Sequence, residues 1–334
     1  MSQHTAKKTL ANRVEQLWYS SNKGYWLLMP LAWLYGAITA LRRWLFRIGL
    51  KRQYKLPQPV IVVGNISVGG TGKTPFTLLL CQLLRQQGWQ PGIVSRGYGA
   101  RIVRPTLVTA ASSAKDCGDE PLLLAQRSGC PVVVCPDRVA AAQFLLANTA
   151  TDIIISDDGL QHYALARDVE IVLIDGKRGL GNGQLLPAGP LRERPWRLQQ
   201  VDLVLANTQA HNLADGIMQL VADKARPLIG NASLSNSPVT LVAGIGNPER
   251  FVDTAGQVGF NIIATRFFAD HHKFTAEDFS AISGPVLMTE KDAVKCRDFA
   301  RPDWFSLAVA AQLDQPGLTK LTTLITELRS RYGT

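Results

Sequence analysis

Acidic residues are almost missing from the first 56 positions, where Glu15 stands alone against ten lysines and arginines. The whole 334-residue chain carries 36 basic and 26 acidic side chains, a formal net charge of +10. The N-terminal segment therefore holds +9 of that charge, and the rest of the chain is close to neutral. Cysteine is scarce too. The five thiols (Cys81, Cys117, Cys130, Cys135, Cys296) are odd in number and form no CxxC pair. That spacing excludes a disulfide framework or a zinc site and reads as reduced thiols in a cytosolic compartment. No internal repeat and no low-complexity tract stands out. The apolar run near the N-terminus is followed by no small-residue cleavage site, which argues against a signal peptide. Asn207-Thr-Gln-Ala210 follows an apolar run but lacks the Lys and Asp of an Asn-Lys-x-Asp guanine reader, which argues against a GTPase.

What the N-terminal segment does contain is aromatic and apolar. Residues 25–41 form a run of about seventeen residues interrupted by no charge, followed by Arg42-Arg-Trp-Leu-Phe-Arg47. Trp18, Trp26, Trp33 and Trp44 all fall before position 56. Such a run is at the lower edge of what spans a bilayer. Aromatic and apolar side chains next to cations suit the headgroup region of an anionic bilayer. The expectation is a helix lying in or dipping into the membrane interface, in preference to a single span. Leu, Trp and Phe interleaved with the cations suit lipid better than a phosphate backbone, so no nucleic-acid partner is expected.

The most informative stretch is Val60-Ile-Val-Val-Gly-Asn-Ile-Ser-Val-Gly-Gly-Thr-Gly-Lys-Thr74. It reads as a buried strand, a glycine-rich turn and a helix start. In a phosphate-binding loop of this kind, backbone N–H groups surround phosphate oxygens, the lysine reaches the β- and γ-phosphates, and the threonine hydroxyl holds Mg²⁺. Ser67, Val68, Gly69, Gly70, Thr71, Gly72, Lys73 and Thr74 are the candidate residues for binding a nucleoside triphosphate. Phe76, Leu79, Leu80, Leu83 and Leu84 then repeat at helical spacing, with Gly88 as the stop. The general pattern has glycine where this chain has Ser67.

Short apolar runs at 60–63, 92–95, 132–134, 153–155, 171–174 and 203–205 alternate with helical stretches, which predicts a parallel sheet covered on both faces. Ligands in such sheets sit beyond the carboxyl ends of the strands, so the loops after each run are where chemistry is expected. Asp157 and Asp158 end one run, and acids at that point hold the Mg²⁺ that bridges nucleotide phosphates. From this pattern alone, either of the two could be the direct ligand. Gly118-Asp-Glu-Pro121 opens a helix with Pro121 at its first position. Asp119 or Glu120 either caps that helix or takes a proton from an attacking hydroxyl. His271 and His272 precede a helix expected from about Thr275, and adjacent side chains point in different directions, so at most one enters a given site. Arg96-Gly-Tyr-Gly99 and the 186–193 loop present Tyr98, Arg192 and Glu193, and arginine there suits an anionic substrate.

In this order the motifs 64–75, 96–99, 118–121, 157–162, 186–193, Asp270-His271 and Thr289-Glu-Lys-Asp292 closely resemble the tetraacyldisaccharide 4'-kinase family, the membrane-associated lipid A 4'-kinases of Gram-negative bacteria. Ser67 agrees with that family's own loop. The resemblance implies transfer of the ATP γ-phosphate to the 4'-hydroxyl of an acylated disaccharide 1-phosphate at the cytoplasmic face of the inner membrane. It implies Lys73 on the phosphates, and Mg²⁺ organised by Thr74 with Asp157 and Asp158. Asp119 would be the general base with His271 as partner, and Glu120 a further metal candidate. The Thr289–Asp292 loop would contact the nucleotide base. The expected fold class is a P-loop NTPase-like α/β protein, its mostly parallel sheet flanked by helices. The expected divisions are a membrane-associated segment 1–56, a nucleotide-binding core 57–232 and a smaller α/β lobe 233–334. No obligate protein partner is inferred. The alternative is a membrane-docked regulatory P-loop ATPase, but Val68 occupies the place of the signature lysine those proteins carry.

Overall fold

The apolar runs become strands whose residues are buried on both faces, as a sheet covered by helices requires. The computed structural model describes residues 14, 16–20, 23–234 and 237–333. Lys7, Lys8, Arg13 and Glu15 of the charge count lie outside the described residues, as do Ser235 and Asn236. In chain order the strands are β1 (Val60–Gly64), β2 (Pro91–Ser95), β3 (Thr106–Val108), β4 (Val132–Val134), β5 (Ile153–Asp157), β6 (Val169–Asp175), β7 (Leu203–Asn207), β8 (Gly216–Pro227), β9 (Val239–Ala243), β10 (Ile262–Phe267), β11 (Val286–Thr289) and β12 (Trp304–Leu313). The α-helices are α1 (Met29–Arg47), α2 (Lys73–Gln86), α3 (Ala114–Cys117), α4 (Asp119–Ser128), α5 (Arg138–Asn148), α6 (Pro248–Gln257), α7 (Glu290–Cys296) and α8 (Gln315–Tyr332).

The chain packs as two units, each assembled from separate stretches of sequence. The first comprises Met1–Lys73, Ile153–Gln219 and Leu313–Thr334. In it β1 lies between β5 and β6, β6 pairs with β7 and β7 with β8, all parallel. The second comprises Thr74–Asp152 and Leu220–Gln312. There β4 pairs parallel with β2 and antiparallel with β3, while β10, β9, β11 and β12 form a parallel run. All five cysteines are free and buried.

Two local expectations are corrected. Gly118, with φ +93°, is the N-cap of α4, which puts Pro121 at the third helical position instead of the first. The segment after Thr275 makes only a 3₁₀ turn, Ala276–Phe279, closed by a capping box between Thr275 and Asp278. Neither β3 nor the largely exposed β8 carries a strand signal in the sequence, because neither forms a continuous apolar run.

A 3₁₀ turn, Lys23–Leu28, leads into α1, where Pro30 sits in the first turn. Pro is tolerated there because the N–H it lacks has no helical acceptor. Met29, Ala32 and Phe46 are buried, and a Cβ on Gly36 would lie 2.8 Å from Leu185 Cδ1. These positions recur at helical spacing and form the docked stripe. Arg43, on the same stripe, sits 3.3 Å from Glu193 Oε2 and 4.2 Å over the Trp196 ring. The opposite face leaves Trp33, Leu34, Ile38, Leu41 and Trp44 exposed, and Leu27 in the preceding turn is 87% exposed. By length and composition the helix Lys23–Arg47 could cross a membrane.

Candidate active site

β1 ends at Gly64, the chain runs through the glycine-rich loop, and α2 begins at Lys73. Two glycines in this loop adopt positive φ, Gly69 at +122° and Gly72 at +91°. Gly72 also has no room for a side chain. A Cβ there would stand 2.6 Å from Asn207 Nδ2 and 2.7 Å from Met218 Cε. A Cβ on Gly69 or Gly70 would meet nothing within 4 Å, so that part of the loop faces open space. The Thr71 hydroxyl is buried with no hydrogen-bond partner among the described residues.

The loop is held from two sides. Asn207, fully buried at the end of β7, donates from Nδ2 to the Thr71 carbonyl at 3.0 Å. The Val68 N–H donates to the Pro190 carbonyl at 2.8 Å, and the Arg192 N–H to the Ile66 carbonyl at 2.6 Å. The 186–193 stretch is thus bonded along the phosphate loop. Its Arg192 side chain donates to both oxygens of Asp158, at 3.0 and 3.2 Å. Lys73 Nζ is 3.6 Å from the same carboxylate. Asp158 sits in the left-handed region at φ 47°, which Asp tolerates better than most residues. Asp157, 1% exposed, ends β5 in register with Val63 of β1. The parallel pairing of β1 with β5 therefore brings the acid pair beside the root of the phosphate loop.

Glu193 is buried and shared among several partners. It accepts from Gln161 at 2.9 Å, from the Tyr163 hydroxyl at 2.6 Å and from Arg43 at 3.3 Å. Burial first, and then the Glu193 charge, push the Tyr163 hydroxyl up to about 12.

In the second unit, α4 starts with Asp119, 6% exposed. A carboxylate at a helix N-terminus is favoured by the helix dipole. Its Oδ1 accepts from the Glu120 N–H at 3.0 Å, but Gly118 is the N-cap and no side chain caps this helix. Both carboxylate oxygens also lie 3.1 Å from His271 Nδ1. Burial works against the charge on Asp119. The His271 hydrogen bond and the nearby Lys291 and Lys295 outweigh it and hold the carboxyl below its ordinary value. Burial likewise opposes protonation of His271, but the Asp119 hydrogen bond wins and its pKa is raised. His271 has φ 59°, uncommon for a residue other than glycine, and its ring lies 4.8 Å from that of Tyr98. His272 turns elsewhere: its Nε2 is 3.1 Å from Asp278, and its ring stacks on Phe268 at 4.6 Å.

Glu120 accepts from Lys291 Nζ at 2.9 Å. Of the 289–292 motif, Thr289 caps α7, while Asp292 is fully buried and accepts from the Gly244 N–H at 2.9 Å. Asp292 is also 2.6 Å from Lys295 Nζ. Lys291 lies in the 289–292 motif but with no separate role read for it, and Asn207 and Lys295 do not stand out as site residues in the sequence. Only Asn207 carries a usable signal, a polar residue closing an apolar strand at the edge where ligands gather.

A parallel α/β sheet with a glycine loop between its central strand and a helix, a lysine on that helix and two acids ending the adjacent strand defines the phosphate-binding-loop class of proteins. A family model described as Tetraacyldisaccharide-1-P 4'-kinase matches residues 24–326. A tetraacyldisaccharide 4'-kinase of Shewanella sp. (strain MR-7) is 53% identical over 305 residues, covering 90% of this chain and 91% of that one. The Shewanella oneidensis protein of the same name is 49% identical over 320 residues, covering 93% and 96%. Among solved structures, LpxK from Aquifex aeolicus, described as an "apo" form in complex with ATP, superposes with a TM-score of 0.76. It is 28% identical and covers 91% of this chain and 99% of its own. The chain belongs to the tetraacyldisaccharide 4'-kinase family. The regulatory ATPase reading is accordingly not favoured.

Proposed function

We propose that this chain transfers the γ-phosphoryl group of ATP to the 4'-hydroxyl of an acylated disaccharide 1-phosphate, with Asp119 as the base. The hydroxyl oxygen forms the new bond to phosphorus as its proton passes to the Asp119 carboxylate. The bond from phosphorus to the β-phosphate oxygen breaks and ADP leaves. The observation that carries this reading is the state of Asp119: buried, held ionised, and hydrogen-bonded to an imidazole. A base must be unprotonated and oriented before it can help, and Asp119 meets both conditions. Lys73 and the loop N–H groups between Ser67 and Thr74 bind the phosphates and offset their charge.

Mg²⁺ would supply charge neutralisation across the β- and γ-phosphates. The residues fit it. Among the described residues no group of three or more His, Cys, Asp or Glu gathers as a metal cage. Mg²⁺ in phosphoryl-transfer sites uses one or two carboxylates, water and the phosphates themselves. Thr74, and separately Asp157 and Asp158, offer the hard oxygen donors this requires, and Asp158 already compensates Lys73 and Arg192. Glu120, the other acid considered for the metal, has its carboxylate on Lys291.

We assign segment 1–56 to the bilayer, 57–232 to the nucleotide and 233–334 to the addition of His271, a division by function that the interleaved compact units do not follow. The exposed face of α1 is the part that meets anionic lipid at the cytoplasmic side of the inner membrane, since acyl chains keep the acceptor there. Leu34→Glu with Ile38→Glu should lower cosedimentation with anionic vesicles by about tenfold or more, because each removes apolar area from the lipid-facing side and sets a negative charge against anionic headgroups. Unchanged cosedimentation would reject the assignment.

The test of the activity uses γ-labelled ATP with bacterial membrane glycolipids. Label should move into the organic-soluble lipid fraction. Free phosphate alone would contradict the proposal.

A further inference from the structure

We propose that Lys291 is a positioning residue that fixes the tautomer of His271, its ammonium occupying Nε2 so that the only ring proton lies on Nδ1 and points at Asp119. The proposal rests on the reading of Asp119 and His271 as the proton-accepting pair, and gives that pair its missing third member.

Donors and acceptors around the ring decide the tautomer. Lys291 Nζ carries three N–H donors and no lone pair. Three acceptors surround it: Glu120 Oε1 at 2.9 Å, Asp270 Oδ1 at 3.2 Å and His271 Nε2 at 3.4 Å. A proton on Nε2 would set donor against donor. Nε2 is therefore the bare nitrogen, and neutral imidazole must then carry its proton on Nδ1. That N–H faces the two Asp119 oxygens at 3.1 Å. The opposite tautomer would set two lone pairs against each other at Nδ1.

The groups facing His271 come from every element packed on it. They are Tyr98 after β2, Asp119 on α4, Asp270 in its own loop and Lys291 on α7, with Lys295 3.8 Å from Asp119. Lys291 is the one that touches Nε2 as a donor. Its side chain is only 16% exposed. Burial opposes its charge, yet Glu120, Asp270 and Asp119 outweigh that and hold its pKa above the ordinary lysine value. It also ties α4 to the 268–274 loop, and Arg127 of α4 reinforces this by pairing with Glu290 of α7. The consequence for the reaction is specific. An imidazole locked this way donates to Asp119 and cannot draw the acceptor's proton onto Nε2, so the pair works by orienting and stabilising one anionic carboxylate.

The test is histidine ¹⁵N NMR on the full chain with its five histidines, assigned with His271→Asn. The native protein should show His271 protonated at Nδ1 and bare at Nε2. Lys291→Met should let Nε2 take up a proton and move His271 to the doubly protonated form. It should also lower kcat by about 10- to 100-fold with the KM for ATP unchanged, a loss smaller than the ~10⁴ seen when a catalytic imidazole is held in the wrong tautomer. Lys291→Arg should keep the native signature. A native His271 protonated at Nε2, or a Lys291→Met protein whose His271 keeps Nε2 bare, would overturn the proposal, whatever happens to turnover. If Lys291→Met does not fold, the native spectrum and Lys291→Arg still decide. Failure of the base reading shows separately, as normal turnover in Asp119→Asn with this tautomer intact.

Discussion

Asp119→Asn should lower phosphoryl transfer by about 10²–10⁴-fold, the range that positioned acid–base groups supply, while leaving ATP affinity within about twofold. The separation of the two effects follows from what the side chain touches. Asn keeps the shape of Asp, and its amide oxygen can still accept from the Glu120 N–H and from His271 Nδ1. What disappears is the basic lone pair of an anion. Single-turnover transfer of label, alongside calorimetry with ATP, measures both quantities. Turnover near the native value would remove Asp119 as the base.

The same site sets the expected pH profile. Asp119 is held below its ordinary value of 3.8, so it stays ionised as pH falls through neutrality. His271 is held above its ordinary 6.5, so it is the group that gains a proton first on acidification. An acid limb in kcat lying above pH 6.5 therefore reports His271, and it should vanish in His271→Asn.

Gly72→Ala should weaken ATP binding by about 30-fold or more. Two costs add. A left-handed backbone costs an L-residue roughly 1–2 kcal/mol, and Gly72 sits at φ +91°. The new methyl would also stand 2.6 Å from Asn207 Nδ2, the atom that donates to Thr71. Asn207 is fully buried and cannot swing out, so that hydrogen bond, worth about 0.5–1.5 kcal/mol, is strained or lost. About 2 kcal/mol in the geometry of the loop corresponds to roughly 30-fold in affinity. Calorimetry with Mg²⁺ and ATP checks it, and unchanged affinity would show that the loop tolerates another path.

Much of this architecture is legible in the order of the residues. The runs at 60–63, 132–134, 153–155 and 203–205 lie inside β1, β4, β5 and β7, because a strand buried on both faces must be apolar throughout. β8 is illegible for the converse reason, since beyond the buried Met218 its residues are half-buried or exposed, with no continuous apolar run and no regular apolar–polar alternation. The exposed apolar face of α1 follows from a run too apolar for water and too close to cations for an ordinary core. The geometry of the glycine cluster does not follow. Only the contact of Gly72 with Asn207 and Met218 distinguishes a glycine that is required from Gly70, where a methyl meets nothing.

Taken alone, the amino-acid order determined the strand pattern, the phosphate loop, the cationic aromatic segment and a set of candidate acids and histidines. Each of these is written in neighbouring residues, through periodicity, turn chemistry or local charge. Only the tertiary structure decided which side chains meet. His271 and not its neighbour reaches Asp119, 152 positions away in the chain. Asn207 steadies Thr71 from 136 positions away, and Lys291 reaches Glu120 from 171. Hydrogen bonds form between groups a few ångströms apart in space, and parallel strands joined by long crossovers place such groups far apart along the chain.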